Sequence, residues 1–427
     1  MSTLKKVHEL ILTGHTASID SREIDEGSIF FALKGEKFDG NKFALKAIEN
    51  GAIAAVVDNK SLMGKKNIIC VDNVLVFLQE LAIAHRETLN IPVIGLTGSN
   101  GKTTTKELIN RVLSTKYKTF ATKGNLNNHI GVPLSILSVS KKHEIAIIEM
   151  GANHIGEIAE LCRIAKPTHG LITNIGKAHL EGFGSIEGVI KAKSELYAHL
   201  EKNNGVTFIN SENKKLVKIA QQFDFKKRIG YQDAFSVLNA DSVNGFLNFS
   251  MNHNNTYYDV TTNIVGEYNF ENILAALAVG NYFGVDMVNA IKAIEAYMPN
   301  NSRSQRINTR KNVVILDAYN ANPTSMELAL TNFDKLPANS EKLVILGDML
   351  ELGEYTEKEH TRIGNMAKRL FNNVILVGDN FKHIEECQWF KTSLDCLNHL
   401  KSNPKKGFTI LVKASRGVGL DKVLEGL

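Results

Sequence analysis

The chain has 427 residues, of which 43% are hydrophobic and 22% are charged, and this length and composition predict about three domains, each with its own core. The formal net charge of +5, from 50 basic and 45 acidic residues, is spread along the chain without a long basic block, which argues against a dedicated nucleic-acid-binding protein. No apolar run is long enough to span a bilayer, and four scattered cysteines (Cys70, Cys162, Cys387 and Cys396) lack metal-binding spacing. We therefore expect a cytoplasmic protein with reduced thiols, no zinc, and no membrane or nucleic-acid partner.

Residues 1–88 predict a small α/β domain. Its expected elements are a helix over 4–12, a strand over 28–33, a helix after Asp39-Gly40, strands over 52–57 and 67–71, and a helix over 73–88. The polar turns between them could hold a ligand, but turns need glycine in any case. The pattern by itself favours a structural role for these turns.

A glycine-rich turn begins the second predicted domain, residues 89–301. It follows an apolar strand over 91–96 and precedes a helix with apolar residues at helical spacing. Gly98 and Gly101 let successive backbone N–H groups point inward at a helix N-terminus, which favours an anion. Lys102 can then reach a terminal phosphate, and the Thr103 hydroxyl can bind the accompanying Mg²⁺. The alternative is a chance Gly-Lys-Thr at a strand-to-helix turn, but strand, helix and hydroxyl run agree on a nucleoside triphosphate site.

Polar residues follow two further predicted strands of this domain, over 144–149 and 169–174. Alternating strands and helices indicate a parallel sheet, and ligands of such sheets lie beyond the carboxyl ends of the strands. Glu149 and His179 occupy such ends, and a carboxylate and an imidazole near a triphosphate could hold Mg²⁺ directly or through water. His179 could equally be a capping or core histidine.

The remainder of the second domain predicts an antiparallel β insert over 225–265 and two helices, over 269–283 and up to about 298. A linker at 298–302 precedes the third domain, residues 302–427. That domain repeats the strand-helix rhythm, with strands expected over 312–317, 342–347, 373–377 and 407–412. Polar residues again follow its strands, in the segments 317–323, 347–353 and 413–417.

Several motifs together resemble the Mur ligase family. They are Thr97–Thr104, Gly124–Pro133, Glu149–Ala152 and Tyr319–Pro323. Lys34-Gly35 with Asp39-Gly40 is similar to a UDP-binding domain of this family, so the resemblance covers essentially the whole chain. Asn320-Ala321-Asn322-Pro323, without the Asp-Asn-Pro-Arg signature of the diaminopimelate-adding members, is similar to the member that adds a dipeptide.

The resemblance implies an α/β fold of three domains: a small N-terminal uridine-binding domain, a central P-loop-type parallel-sheet ATPase domain with a β insert, and a C-terminal Rossmann-like doubly wound domain. It also implies an ATP-dependent and Mg²⁺-dependent amide ligase that joins D-alanyl-D-alanine to a UDP-N-acetylmuramoyl-tripeptide in peptidoglycan precursor synthesis. In this family the substrate carboxylate attacks the γ-phosphate, and the amine then displaces phosphate from the acyl phosphate. A monomer is expected.

Site residues follow from the same resemblance, motif by motif. ATP would contact Gly98, Ser99, Asn100, Gly101, Lys102, Thr103 and Thr104, with Asn272 at adenine, Asp317 at ribose and Arg303 at the phosphates. The two other substrates would contact Ser28, Lys34, Gly35, Asp39, Gly40, Thr122, Asn125, Asn127 and Asn128, and Asn320, Asn322, Asp348, Lys413, Ser415 and Arg416. Arg416 suits the dipeptide carboxylate because a guanidinium grips both oxygens.

The implied catalytic residues are Lys102, Glu149, His179 and Lys193, and the implied Mg²⁺ ligands are Thr103, Glu149, His179 and Lys193. Composition alone would make Lys193 part of a solvated helix face. Mur ligases, however, carry an Ala-Lys-x-Glu segment whose lysine is carbamylated by CO₂, and residues 192–195 match it. A carbamylated Lys193 is therefore expected.

Three positions depart from the family pattern: Tyr268 replaces a histidine, Ala414 a glycine, and Ser302 a frequent glycine. Two alternatives stay open. One is another amide ligase of this type, such as a folylpolyglutamate synthase, which would lack the uridine-binding domain. The other is a P-loop ATPase or kinase whose flanking domains bind a partner.

Overall fold

The computed structural model describes residues 2–243, 245–337 and 340–427. These residues form three α/β domains, each built on a mostly parallel sheet, so the predicted fold class is confirmed. Among the helices in the described ranges, none has both the length and the apolar character needed to cross a membrane.

The N-terminal domain has a four-stranded parallel sheet of order β1-β2-β5-β6 and a two-stranded ribbon, β3-β4. Helix α1 begins after Ser2, whose side chain accepts a hydrogen bond from the Lys5 N–H, and it buries Val7 and Ile11. The elements are α1 (Thr3–Leu12), β1 (Ala17–Ser18), β2 (Ile29–Phe31), β3 (Lys34–Gly35), β4 (Phe38–Asp39), α2 (Ala44–Glu49), β5 (Ala54–Val57), β6 (Ile68–Cys70) and α3 (Val74–Thr88).

The central domain has a six-stranded parallel sheet of order β12-β11-β10-β7-β9-β8 and a three-stranded antiparallel sheet of order β13-β14-β15. Its strands are β7 (Val93–Thr97), β8 (Thr119–Ala121), β9 (Ile145–Glu149), β10 (His169–Ile172), β11 (Val206–Ile209), β12 (Lys227–Gly230), β13 (Ser236–Val243), β14 (Phe246–His253) and β15 (Thr256–Val265). Its helices are α4 (Lys102–Leu113), α5 (Gly131–Leu137), α6 (Glu157–Ala165), α7 (Leu180–Phe183), α8 (Ile186–Lys202), α9 (Lys214–Ala220), α10 (Phe270–Tyr282) and α11 (Met287–Glu295).

The predicted start of the β insert, residue 225, was wrong. Strand β12 lies inside that range, but it pairs in parallel with β11 at the edge of the main sheet. Lys227 and Arg228 at its start are exposed, so the strand lacks the apolar run that marks an interior parallel strand. The antiparallel insert consists of β13 to β15 alone.

Strand β7 lies inside the central sheet, at the point where the strand order changes direction. All five of its residues are buried, and β9 and β10 flank it on its two sides. The chain therefore leaves β7 in one direction and later returns on the other side. In an open parallel sheet, the crevice above such a switch point is where ligands bind.

The C-terminal domain has a six-stranded sheet of order β16-β17-β21-β18-β19-β20, parallel except for the antiparallel edge strand β16. Its elements are β16 (Gln305–Asn308), β17 (Val313–Asp317), α12 (Pro323–Lys335), β18 (Lys342–Gly347), α13 (Thr356–Leu370), β19 (Asn373–Val377), β20 (Gln388–Phe390), α14 (Ser393–Ser402) and β21 (Thr409–Lys413). The four predicted strands are confirmed, whereas the short edge strands β16 and β20 were missed. Short 3₁₀ helices cover Gly40–Phe43, Lys60–Leu62, Glu267–Asn269, Gly353–Tyr355, Asp379–Phe381, Arg416–Val418 and Leu420–Gly426.

Candidate active site

A cavity of about 410 Å³ lies where the carboxyl ends of the central and C-terminal strands face each other. Residues from both domains line it. From the central domain these are Ser99–Thr104, Asn125, Asn127–His129, Glu149, Gly151–Asn153, Glu157, Asn174, His179, Tyr268, Asn269 and Asn272. From the C-terminal domain they are Arg303, Ser304, Asp317, Tyr319, Asn320, Asn322, Ser325, Leu328 and Lys413.

The phosphate loop between β7 and α4 has the backbone geometry that its sequence predicts. Gly98 and Gly101 have φ angles of +145° and +79°, which favour glycine. A side chain on Gly98 would collide with the Thr173 hydroxyl. The Ser99 hydroxyl donates to the Gly176 carbonyl over 3.1 Å, which ties the loop to the segment after β10.

Lys102 begins α4 and points back over the loop. Its ammonium donates to the Gly98 carbonyl over 2.7 Å. The pKa of Lys102 is lowered to about 8, chiefly by burial, while the charge of Glu149 opposes the shift and that of Arg303 adds to it. A bound anion would raise this pKa again, so the site gains from negative charge.

Glu149, at the end of β9, is almost fully buried in the cavity wall. Its Oε1 accepts from the Thr103 hydroxyl at 3.2 Å and from Asn127 Nδ2 at 2.8 Å. Its Oε2 has no hydrogen-bond partner among the described residues, and the nearest cation is Lys106 Nζ at 3.9 Å. A buried carboxylate oxygen without a partner is costly, and this one fits a metal ion.

His179 has a left-handed backbone, with φ of +51°, and precedes α7. Its Nδ1 lies 2.5 Å from a carboxylate oxygen of Glu351 in the C-terminal domain. The histidine lines the cavity but is paired across the domains in this structure. Within the described ranges, no three His, Cys, Asp or Glu residues cluster as a ready-made metal site, so Mg²⁺ would need oxygens from the nucleotide as well.

Lys193 on α8 is 1% exposed and does not belong to a solvated helix face. Its Nζ lies 3.4 Å from the Ala152 carbonyl and 5.2 Å from the centre of the Phe183 ring. The pKa of Lys193 is lowered to about 7, chiefly by burial and also by the charge of Lys102, while Glu157 and Glu195 oppose the shift. Both Ala152 and Glu157 line the cavity, so the amine lies just behind its wall.

The C-terminal side of the cavity is built from paired charges and an aromatic ring. Lys413 Nζ donates to Asp317 Oδ2 over 2.6 Å. The Arg303 guanidinium lies 3.9 Å from the centre of the Tyr319 ring, and Arg416 lies 5.1 Å from it and donates to the Tyr319 hydroxyl over 3.2 Å. The ring therefore separates and orients two guanidinium groups.

Several predicted substrate residues lie outside the cavity lining. In the C-terminal domain, Asp348 and Ser415 are buried, and the Ser415 N–H donates to the Asp348 carbonyl. Burial raises the pKa of the Asp348 carboxyl to about 6. Thr122 lies behind Glu149 and accepts from its N–H over 3.0 Å. The others outside the lining are Gly98, Lys193, Arg416 and the N-terminal set of Ser28, Lys34, Gly35, Asp39 and Gly40.

Lys34, Gly35 and Asp39 of the N-terminal set form a separate polar surface. Lys34 Nζ pairs with Asp58 at 2.8 Å, and Asp39 Oδ1 accepts from Asn41 Nδ2 at 2.8 Å. Phe38 and Phe43 are stacked, with ring centres 5.4 Å apart, and both are exposed. The β3-β4 ribbon therefore brings Lys34, Gly35 and Asp39 together outside the cavity, whereas Ser28 is buried before β2.

Three sequence models of one family match successive parts of the chain: the Mur ligase family catalytic domain over residues 13–94, the Mur ligase middle domain over 96–280, and the Mur ligase glutamate ligase domain over 302–416. The UDP-N-acetylmuramoyl-tripeptide–D-alanyl-D-alanine ligase of Bacillus subtilis is 36% identical over 97% of this chain and 93% of its own length. The chain belongs to the Mur ligase family.

Solved structures of Mur ligases agree with this assignment. A MurF crystal structure from Acinetobacter baumannii superposes with a TM-score of 0.85 at 29% identity, covering 98% of this chain and 97% of its own. The MurF ligase of Thermotoga maritima, solved in complex with ADP, gives 0.84 at 28% identity with the same coverage. The match over all three domains disfavours a folylpolyglutamate synthase, which would lack the N-terminal one.

The structure shows the local setting of each departure from the Mur ligase pattern. Ser302 has a φ of +56°, a conformation that glycine adopts at lower cost. The Ala414 methyl group packs where Gly347 has no side chain. Tyr268 donates or accepts a 2.7 Å hydrogen bond with Ser304, next to Arg303.

Sequence reasoning missed several residues of the Mur ligase cavity. Tyr319 and Glu157 line it, and Lys106 supports it from behind with a 2.6 Å hydrogen bond to the Thr122 carbonyl. The signal for Lys106 was its position four residues after Lys102, on the same face of α4. Glu157 had no comparable signal, because an acidic residue in the first turn of a helix is common.

Proposed function

We propose that this protein is an ATP-dependent ligase that adds D-alanyl-D-alanine to UDP-N-acetylmuramoyl-tripeptide. The relatives that match it over nearly the whole chain carry that activity in their names. The reaction belongs to peptidoglycan synthesis, and hence to the maintenance of cell shape and to cell division. Its substrates are cytoplasmic, and we propose the same location for the protein.

One observation carries the proposal: the phosphate loop and the strand ends of a second domain line a single cavity. A plain ATPase needs the loop but no second domain across it. A ligase must bring an amine to a carboxylate that is being phosphorylated, which requires two binding surfaces at one point. Asn322 of the C-terminal domain touches Asn100 of the loop at 2.7 Å, so the surfaces meet at the phosphates.

Mg²⁺ fits the oxygen set beside the loop. The Thr103 hydroxyl and the unpartnered Oε2 of Glu149 are hard oxygen ligands, and His179 lines the same wall. These residues would hold the ion, with His179 acting directly or through water. When bound, Mg²⁺ offsets the negative charge of the phosphates.

The chemistry follows from charge. A carboxylate oxygen of the tripeptide attacks the γ-phosphorus and ADP leaves, giving an acyl phosphate. The dipeptide amine then attacks the acyl carbon and gives up a proton, and phosphate leaves with the carboxylate oxygen that had attacked phosphorus. Lys102 and the backbone N–H groups around Gly101 reduce the repulsion between the two anions.

Binding roles follow the position of each residue around the cavity. Asn272 lies against Gly101 and would face adenine, Asp317 would face ribose, and Arg303 would reach the phosphates. The muramyl peptide would pass Thr122, Asn125, Asn127 and Asn128 from the uridine surface of Ser28, Lys34, Gly35, Asp39 and Gly40. Asn320, Asn322, Asp348, Lys413, Ser415 and Arg416 would serve the dipeptide.

Lys193 is proposed to be carbamylated. CO₂ reacts only with a neutral amine, and a pKa near 7 leaves about half of the Lys193 side chains neutral at pH 7. The amine is enclosed by Ala152, Phe183 and the wall that contains Glu157. The carbamate would turn a cation behind the phosphate site into an anion able to help hold Mg²⁺.

Lys191 provides a matched control for this modification, because it is exposed on the same helix. With ¹³C-labelled bicarbonate, NMR should show one carbamate signal that Lys193→Ala removes and Lys191→Ala keeps. Short carboxylates should partly restore activity to Lys193→Ala. A fully active Lys193→Ala in CO₂-depleted buffer would contradict the modification.

The domain limits 1–88, 89–301 and 302–427 and the monomeric state are proposed as well. Limited proteolysis near residues 89 and 301, and light scattering of the full chain, test them directly. Cleavage confined to other positions, or a stable dimer, would contradict these two proposals.

The direct test of function is incubation with ATP, Mg²⁺, a panel of UDP-muramyl peptides and a panel of amine donors. We expect a product with the mass of the tripeptide plus D-alanyl-D-alanine, and one ADP per product. Phosphate release that needs neither peptide would favour the P-loop ATPase instead. Product formed only with a single amino acid would favour another Mur-type amide ligase.

A further inference from the structure

Tyr319, after β17 in the C-terminal domain, contacts two arginine side chains at once. The Arg303 guanidinium lies 3.9 Å from the centre of its ring, and the Arg416 guanidinium lies 5.1 Å from it. Arg416 Nη1 also donates a hydrogen bond to the Tyr319 hydroxyl over 3.2 Å. The two cations therefore use different parts of one side chain: the ring face for Arg303 and chiefly the hydroxyl for Arg416.

The backbone around Tyr319 and Arg303 is held by hydrogen bonds of its own. The Tyr319 N–H donates to the Ser302 carbonyl over 3.2 Å. The Ser304 N–H donates to Asp317 Oδ1 over 3.2 Å. These two bonds lie on either side of Arg303 in the chain. A change confined to the Tyr319 side chain should therefore leave the path of the backbone intact and release only the guanidinium groups.

The Arg303 side chain depends on the ring for its position. Within the described ranges its guanidinium makes no hydrogen bond or ion pair, although it lines the cavity. Its charge reaches the phosphate loop, since it contributes to lowering the pKa of Lys102. Stacking on an aromatic ring reduces the freedom that a long side chain must lose when it binds an anion. The ring thus holds this cation beside the phosphate loop before any nucleotide binds.

The Arg416 side chain is exposed and is held by the same tyrosine. Its bond to the Tyr319 hydroxyl is the one side-chain hydrogen bond that it makes with the described part of the chain. A guanidinium has five N–H donors, so most of them stay available. Because a guanidinium and a carboxylate form two parallel bonds only in a shared plane, a fixed orientation favours capture of a carboxylate.

We propose that Tyr319 is a positioning residue for both anionic groups: its ring face directs Arg303 to the phosphates of the nucleotide, and its hydroxyl directs Arg416 to the carboxylate of the amine substrate. This inference rests on the proposed ligase function. Tyr319 itself need not touch either substrate. One side chain thereby places two charges, one for the nucleotide and one for the amine substrate.

Two substitutions separate the ring from the hydroxyl. Tyr319→Phe keeps the ring and removes the acceptor, so the KM for D-alanyl-D-alanine should rise about 3- to 10-fold while the KM for ATP stays near its wild-type value. Tyr319→Leu also removes the ring, so the KM for ATP should rise about 3- to 10-fold as well. Tyr257→Leu, at a position that is 73% exposed, is the control with wild-type kinetics.

Double-mutant cycles distinguish positioning from direct contact. In the Arg416→Ala background, Tyr319→Phe should change the KM for the dipeptide no further. In the Arg303→Ala background, Tyr319→Leu should change the KM for ATP no further. Effects that persist in full in these backgrounds would overturn the proposal, because the tyrosine would then act on the substrates itself. A wild-type KM for the dipeptide in Tyr319→Phe would overturn it too.

Nucleotide binding separates this inference from the proposed function. Calorimetry with the β,γ-methylene analogue of ATP, in the absence of both peptide substrates, should show about 3- to 10-fold weaker binding to Tyr319→Leu and unchanged binding to Tyr319→Phe. If the wild type forms no ligation product, the ligase function fails. Wild-type affinity of Tyr319→Leu for the analogue would instead overturn the positioning of Arg303, whatever the reaction.

Discussion

The central and C-terminal sheets are alike in architecture and differ in how they build a binding surface. Both are open parallel sheets whose carboxyl ends face one cavity. The central sheet uses backbone: Gly98 and Gly101 take positive φ angles, and α4 begins at the site with Lys102. The C-terminal sheet uses side chains, with the Lys413–Asp317 pair at 2.6 Å and two arginines on the Tyr319 ring.

This difference between backbone and side-chain surfaces indicates how each one selects its ligand. A backbone cradle binds any polyphosphate of suitable shape, because N–H groups carry no further chemical identity. A surface of charged side chains can distinguish one carboxylate or amine from another. We therefore expect the surface of the central sheet to bind ATP and the surface of the C-terminal sheet to select the amine substrate.

The largest loss of activity is expected from Lys102→Ala, at the end of the phosphate loop. Ligation should fall at least about 100-fold, because the ammonium offsets charge that develops on the phosphates. The melting temperature should barely change, since the side chain is only half-buried. Lys118→Ala, exposed in the same domain, is the control, and turnover of Lys102→Ala within a few-fold of wild type would remove the lysine from phosphate chemistry.

Glu149→Gln should raise the Mg²⁺ concentration needed for half-maximal activity about 10-fold or more, because the neutral amide loses the charge that favours the ion. A titration of activity against Mg²⁺ measures it. His179→Ala should shift the titration in the same direction by less. Glu144→Gln, exposed just before the same strand, should leave the curve in place, and an unchanged curve in both Glu149→Gln and His179→Ala would exclude them from the metal site.

Arg416→Ala tests whether the C-terminal domain selects the amine substrate. The KM for D-alanyl-D-alanine should rise about 10- to 100-fold, because a charge-assisted contact to a carboxylate contributes about 1.5–3 kcal/mol. The KM for the UDP substrate should stay near its wild-type value. Arg310→Ala, exposed in the same domain, serves as control. Equal increases for both substrates would place Arg416 outside the amine site.

The smallest effect is expected for Ala414→Gly, which restores the family residue. The Ala414 methyl is fully buried against Gly347, so its removal should lower the free energy of unfolding by about 1 kcal/mol. Urea unfolding measures this change, and kcat should be unaffected. A stabilised variant would show that the methyl strains β21 instead of filling space.

The same difference between the sheets explains what the sequence could predict. The phosphate loop is local: strand, glycines, lysine and hydroxyl lie within 91–107, so its geometry can be inferred without the rest of the chain. The Asp317–Lys413 pair joins residues almost a hundred positions apart, and their proximity depends on β17 lying beside β21. No local pattern carries that adjacency.

Contacts between domains were the least predictable. Both Asn100 and Asn322 were candidate site residues, but nothing in either motif indicates that their side chains meet. The pairing of His179 with Glu351 is of the same kind. Composition alone would have made Lys193 a solvated lysine. Its burial depends on how α8 packs against the domain, and the spacing of apolar residues along α8 indicates that packing only weakly.

The central claim is that residues of both sheets bind around one substrate carboxylate. That carboxylate is phosphorylated at the phosphate loop, and the amine then attacks the acyl phosphate. The most direct measurement uses UDP-muramyl tripeptide labelled with ¹⁸O in its terminal carboxylate, with ATP and D-alanyl-D-alanine, and reads the mass of the released phosphate. The account predicts one ¹⁸O atom in each phosphate, since the carboxylate oxygen that attacks phosphorus stays bonded to it when phosphate leaves. Unlabelled phosphate released together with ligated product would contradict it.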